Sequence, residues 1–496
     1  MKNYRRAISL LLLGAMLTTT LASCGSNEQT PGGDTTASGG ADTTTVETLT
    51  GRDAVSDDLP DKDYKGTTFT LLTRTKYDYE FGATEENGDI VNDAVYKRNR
   101  TVEERFNVDI VTHAVACGWG SEATAFNTML SASIMAGDGA FDLVAGYAAT
   151  IPGIVSEGIF YNWAEVDYVN ISKPWWSEDV ADVLTINDKC FMLTGDLSLA
   201  LWEGMTCCLF NKRLAEEFQV GDLYEIVRNG EWTFDKLVEI TKDTYKDLNG
   251  DTTSTDADQF GYITDRSTAI DNLKEAFELP VAAKGADGFP EIVFKSERSI
   301  EALAKVNAFL HESGNAYFPP ADAASGGIPN CKTIFSEGRG MIFAAKLGYA
   351  EDMRNMEDDF GIIPYPKYDE DQEEYHSTSL DEFSAFVIPA DAKDIEMTGI
   401  ITEALCAESY KQVIPVFYET ALKTKAARDE ESSEMIDIIR DGLTFDFGYL
   451  HSSSLNSVGH FWVGKVRNND NNLASSFDSN LTGYNQKLEK VLEIYR

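Results

Sequence analysis

Apolar and polar positions alternate along this chain in short runs, and the period of the alternation changes from run to run. Residues 67–73 (TTFTLLT) read as an opening strand. Over 89–106 the period shifts to that of a helix: Ile90, Val91, Ala94, Val95, Val102 and Phe106 fall on one apolar stripe. The pattern then predicts a strand over 107–116, a helix over 123–135 and a buried strand over 141–145. Strand, helix, strand, helix and strand within about eighty residues predict a parallel sheet with helices on both faces. Further on, 233–245 and 300–311 read as helices, and 340–344, 360–363 and 381–388 as strands. A helix is expected over 395–407 and another closes the chain over 473–495, with no internal repeat.

The first residues follow a different pattern. Lys2, Arg5 and Arg6 precede an apolar stretch over 7–17. That stretch is too short for a span, which needs about 20 apolar residues. The layout is that of a secretory signal. Leu21-Ala22-Ser23-Cys24 looks like a bacterial lipobox, which implies cleavage before Cys24 and acylation of that residue. From 25 to 45 only Ala37 and Ala41 are apolar, so the segment cannot bury enough surface to order itself. As a leash up to Pro60 it spans roughly 30–36 Å. The expected location is the extracytoplasmic face of the cell membrane, reached through a lipid anchor, since no other stretch is apolar enough to cross a bilayer.

Composition narrows the partners. Hydrophobic content is 43% and charged content 25% over 496 residues, ordinary values for a globular body of two or three domain equivalents. The net charge is −40, and loss of three basic residues and no acids with the signal moves it to −43. Such a field excludes nucleic acid and suits a secreted body, expected to be a monomer. Cys117, Cys190, Cys207, Cys208, Cys331 and Cys406 form no C-x-x-C and read as small buried hydrophobes.

Several runs, in order, carry a resemblance. They are Phe141-Asp142-Leu143-Val144; Lys173-Pro174-Trp175-Trp176 ahead of Thr194-Gly195-Asp196; and Phe210-Asn211-Lys212-Arg213-Leu214. Leu223 to Val227 then leads to Gly230-Glu231-Trp232-Thr233-Phe234, Asp247 to Asp251 to Asp258-Gln259-Phe260-Gly261, and Gly361 runs to Lys367 (GIIPYPK). Together they resemble the large lipoprotein form of family-1 extracellular solute-binding proteins, which serve carbohydrate ABC transporters. The resemblance implies an α/β, two-lobed, type II periplasmic-binding-protein-like fold with discontinuous lobes, a hinge and an interlobe cleft. It implies a signal peptide over 1–23 and a lipidated Cys with linker over 24–62. Lobe 1 would take 63–165 plus about 366–415, and lobe 2 would take 166–365 plus about 416–496. The implied function is capture of a mono- or oligosaccharide and its delivery to permease subunits. A surface polysaccharide-binding or sensory lipoprotein, and a binder of a non-sugar solute, stay open as alternatives.

A pyranose has an apolar face, matched by aromatic rings, and a hydroxyl rim, matched by polar side chains. Trp175 and Trp176 are the first choice for a stacking platform, followed by Trp202 and Glu203. Arg74 and Tyr77 follow the first strand, Tyr147 ends the FDLVAG strand, and Lys346 and Tyr349 follow another. His460 and Trp462 are assigned to core packing, and Trp232 to the start of a helix. Asp247, Asn249, Asp251 and Asp258 stand at positions 1, 3, 5 and 12 of a calcium-type loop. Thr252 replaces the usual sixth-position Gly, so the loop reads either as a structural calcium site or as an acidic turn. No other cofactor is expected. No H-E-x-x-H, G-x-S-x-G or Walker A motif is present, and no enzyme activity is expected.

Overall fold

The computed structural model describes residues 50–379 and 382–496, the Lys425 side chain apart. The predicted signal, Cys24 and most of the linker lie outside the described residues, as does Asp381. No helix among the described residues is long and apolar enough to cross a membrane.

Two sheets organise the body. The first has the order β11-β3-β1-β2, from β1 (Thr67–Arg74), β2 (Val108–Val115), β3 (Leu143–Tyr147) and β11 (Ser384–Val387). β1 pairs in parallel with β2 and β3, and β11 joins β3 antiparallel. The second has the order β10-β4-β9-β5-β8. Its members are β4 (Thr206–Asn211), β5 (Phe260–Ile263), β8 (Ala316–Tyr317), β9 (Gly340–Lys346) and β10 (Phe360–Ile363). A small hairpin, β6 (Ala282–Lys284) with β7 (Pro290–Ile292), stands apart. The predicted strands and helices recur with small shifts, for example helices Ile90–Phe106, Ser121–Ala136 and Ile395–Glu408. β4, β5 and β8 were not legible as strands. β3, β4, β9, β10 and β11 are buried at every position, which is why they read as continuous apolar runs.

Some of the quoted runs have a visible role in this architecture. Asp142 accepts from the Thr70 amide at 2.7 Å, and its own amide donates to the Thr70 carbonyl at 2.9 Å, which pins β3 to β1. Asn211 ends β4 and caps the next helix by accepting from the Leu214 amide at 3.0 Å. Trp232 is fully buried and donates to the Pro364 carbonyl at 2.8 Å, and Thr233 caps the helix Phe234–Thr241.

The chain passes between the sheets along paired segments. Leu193 bridges to Phe386, and the Thr206 amide donates to the Thr378 carbonyl at 3.0 Å. Within 166–193, Asp182 accepts from Lys284, and Asn187 and Lys189 donate to the carbonyls of Tyr495 and Ile494, while the loop carrying residues 175 and 176 stays with the first sheet. Its tryptophans are the reason: Trp175 and Trp176 donate to opposite oxygens of Glu403 at 3.1 and 2.9 Å, on the helix Ile395–Glu408. That helix packs on Ile90–Phe106 beside the first sheet. Gly195 lies so close to Trp175 that a Cβ there would sit 2.1 Å from its carbonyl oxygen. The Thr194-Gly195-Asp196 step is therefore a close backbone crossing that only glycine permits.

Burial pushes the Glu403 carboxyl up to about 7, although both indoles and the Asn170 backbone pull it down. A carboxyl raised in the folded state binds its proton more tightly there than in the unfolded chain. Its stabilising contribution is complete below the ordinary carboxylate range and is lost as pH rises through about 7. Melting temperatures of the natural chain and Glu403→Gln, measured across this window, should show the natural chain's relative stability falling as pH rises. A pH-independent offset between the two would contradict this placement of Glu403.

Candidate interlobe site

The carboxyl ends of β1, β2 and β3 and those of β5, β8 and β9 carry the loops where α/β sheets place ligands. The side chains found there come from both sheets and form a strip with a centre and two flanks.

At the centre, Arg74 ends β1 and is almost wholly buried. Its Nη2 donates to the Glu382 carbonyl at 2.7 Å and to Ser384 Oγ at 3.2 Å. Its guanidinium lies 4.1 Å from the Tyr77 ring centre and 5.2 Å from that of Tyr147, within cation–π range. Lys346, the last residue of β9, pairs with Glu382 at 3.0 Å, and Tyr77 donates to the same carboxylate oxygen at 3.4 Å. Burial would raise the Glu382 carboxyl, but Lys346, Lys76 and Arg74 outweigh it and hold it below its ordinary range. Burial, with Glu382 next, pushes the Tyr77 phenol well up, so it remains a neutral donor.

One flank is aromatic. Trp119 is 68% exposed and meets Tyr147 edge-on at 6.5 Å and His460 at 6.3 Å. His460 contacts Tyr449 at 5.3 Å, and its Nδ1 lies 3.3 Å from Asp271 Oδ1. Behind them Lys274, fully buried, pairs with Glu275 and lies 5.1 Å from the Tyr449 ring. A hollow of about 700 Å³ adjoins Trp119, lined also by Asn127, Thr128, Glu157 and Ser453. On the other flank, Tyr79 donates to Glu203 at 2.9 Å beside a cavity of about 290 Å³ that reaches Leu347, Gly348 and Phe417.

The strip gathers Arg74, Tyr77, Tyr147 and Lys346 at its centre and Glu203 at one flank. It does not gather Trp175 and Trp176, which are buried in the first lobe with their indoles committed to Glu403. Tryptophans beside Pro174 looked like a loop platform, but the loop folds inward to close the core. Trp202 is half-buried and packs edge-on to Tyr418 at 5.6 Å. His460, expected in the core, faces Trp119, whereas Trp462 is fully buried as expected. Sequence reasoning missed Trp119, Glu382, Asp271 and Tyr449. Trp119 alone left a local signal, a tryptophan between Gly118 and Gly120 just after a strand.

The acidic loop spends its oxygens on its own backbone. Asp247 accepts from the Gly250 and Thr252 amides at 2.7 and 2.9 Å. Asp258 is fully buried and accepts from Leu248 and Thr255 at 3.2 and 2.9 Å. Asn249 and Asp251 bond each other and the next amides. Thr252 adopts a φ of +62°, the left-handed turn that the missing glycine would make. Among the described residues no group of three or more His, Cys, Asp or Glu is placed to hold a metal. The six cysteines expected to be buried hydrophobes are buried and free.

Two α/β lobes joined by paired crossovers, with ligand-type side chains on facing strand ends, define the fold of two-lobed periplasmic solute-binding proteins. No protein-family model matches the chain, and no curated protein matches it in sequence. Solved structures do match in fold. A cyclo/maltodextrin-binding protein complexed with maltotetraose aligns over 86% of this chain and 98% of its own, at 13% identity and a TM-score of 0.54. The galacto-N-biose/lacto-N-biose I-binding protein of an ABC transporter from Bifidobacterium longum, in complex with lacto-N-biose, aligns over 85% and 98% at 12% identity and 0.53. The apo form of RafE from Streptococcus pneumoniae aligns over 86% and 98% at 13% identity and 0.51. All three similarities are of fold.

Of the seven tryptophans Trp119 is the exposed one; Trp163, Trp175, Trp176, Trp232 and Trp462 are buried and Trp202 is half-buried. Acrylamide should therefore quench a fraction of the emission that disappears in Trp119→Phe. Equal quenching of both chains would contradict the exposed position of Trp119.

Proposed function

We propose that this chain is the extracytoplasmic solute-binding component of an ABC-type importer, and that its cargo is a carbohydrate. The observation that carries the reading is the strip of Trp119, Tyr147, Tyr77, Arg74, Lys346, Asp271 and His460 between the two sheets. Aromatic faces suit the C–H face of a pyranose, and the charged and amphoteric groups beside them suit its hydroxyls. Because these groups come from both lobes, a sugar lying among them favours the closed arrangement. It can shift the equilibrium only by its preference for that state. The cognate partner is a membrane permease that reads the closed form, and the sugar is released chemically unchanged. The fold relatives that bind maltotetraose and lacto-N-biose are binding proteins, which supports the same role here. Cleavage before Cys24, its acylation and the leash behind it would keep the body at the membrane surface.

A thermal-shift screen of the full chain against mono- and oligosaccharides tests this. Saturation to 100 times the dissociation constant adds about 2.7 kcal/mol, a readable rise in melting temperature. The expected result is a saturable rise with one sugar class, with the sugar recovered intact. Trp119→Ala should weaken that binding by about tenfold or more, a loss of about 1.4 kcal/mol. Absence of any shift across the sugar panel, or recovery of cleaved sugar, would contradict the proposal.

A further inference from the structure

The hollow beside Trp119 continues along the surface of the first lobe, away from the strip. One wall is the helix Ser121–Ala136, where Thr124, Thr128 and Ala132 recur every four residues and are exposed. The facing wall is the turn over 150–157, and Ser453 closes one side. The floor is tied together: Asn127 donates to the Thr150 carbonyl at 2.9 Å, and Ser131 donates to Glu157 at 2.9 Å. Trp119 precedes the helix and Met135 lies near its far end, and both are 68% exposed. At 1.5 Å per residue the wall between them is about 20 Å long. The volume of about 700 Å³ falls within the range of small-molecule sites, about 300–1,000 Å³.

Trp119 and Met135 place exposed apolar surface at the two ends of one channel. Here the lining alternates small residues with hydroxyls, an amide and one carboxylate, and holds no basic residue. That favours a neutral, hydroxyl-rich occupant with apolar faces over a nucleic acid or an acidic peptide. Continuity decides which one. Trp119 belongs to both places, touching Tyr147 and His460 on the strip and lining the groove.

We propose that this groove holds the distal units of an oligosaccharide whose leading units lie between the lobes, with Trp119 stacking at the junction. The cargo is thus a saccharide chain and not a monosaccharide. This rests on the carbohydrate-binding reading above and adds a length requirement to it.

Calorimetric titration of the full chain with a ladder of one oligosaccharide series, from disaccharide upward, tests it. Thr128→Lys narrows the groove from its helix wall and Ser453→Lys from the side that Ser453 closes, and Ala125→Lys, on the same helix outside the lining, is the control. In the natural chain affinity should rise with length beyond the disaccharide. Each groove variant should remove about tenfold from the longer members and leave the disaccharide unchanged, with the control unaffected. Affinity independent of length and of both variants overturns the groove and leaves the carbohydrate reading standing. Failure of every saccharide to bind the natural chain overturns both.

Discussion

The pairing of Lys346 with Glu382 is the contact on which the arrangement of the strip depends. Lys346 ends a strand of the second sheet, and Glu382 lies just ahead of β11 in the first. A carboxylate placed among buried aromatic rings would be costly alone. Arg74, Lys76 and Lys346 surround it, so it stays charged and its backbone carbonyl is fixed by Arg74 as well. Glu382 keeps 34% of its side chain exposed, so water screens the pair, and removing one partner costs less than the about 3–5 kcal/mol of a fully buried ion pair. One clasp therefore ties the ends of β1, β9 and β11 together across the two sheets, with Tyr77 bonded to the same carboxylate and Tyr147 beside Arg74.

The rest of the first lobe supports that clasp from behind. Glu403 gathers Trp175 and Trp176, the Gly195 crossing lets the outgoing segment pass against them, and Leu193 then bridges Phe386 on β11. Glu80 makes a second buried junction: it accepts from Ser384 at 2.6 Å and from the Ala200 amide at 2.6 Å, and burial pushes it up to about 7. The crossover segments are thus fixed by side-chain acceptors in the core, and the exposed indole of Trp119 is left to the outer flank. Rigid walls with one open indole form a surface prepared for a flat ligand face, which lowers the ordering cost of binding.

Much of the fold was legible in the chain because its helices and outer strands keep their periods. The stripe from Ile90 to Phe106 and the buried runs at 141–145 and 360–363 each point to one element. β4 and β5 were hidden because four to six buried residues have no period of their own. The candidate site draws on Arg74, Tyr77, Tyr147 and Lys346, which the chain marks by their place at or after strand ends and which the structure brings together. It was misread where residue type was the only guide. Trp175 and Trp176 look like a platform, yet a buried carboxylate more than two hundred residues away in sequence turns both indoles inward. His460 meets Trp119, and Asp271 and Tyr449 contact His460, only through the packing of segments distant in sequence, which no local pattern records.

The most direct measurement is a crystal structure of the full chain grown with the saccharide that gives the largest thermal shift. The account predicts sugar density against the Trp119 indole, bounded by Tyr147 and Tyr77 from one sheet and by His460, Asp271 and Lys346 from the other lobe. Sugar bound with full occupancy away from the strip, with Trp119 bare, would contradict it.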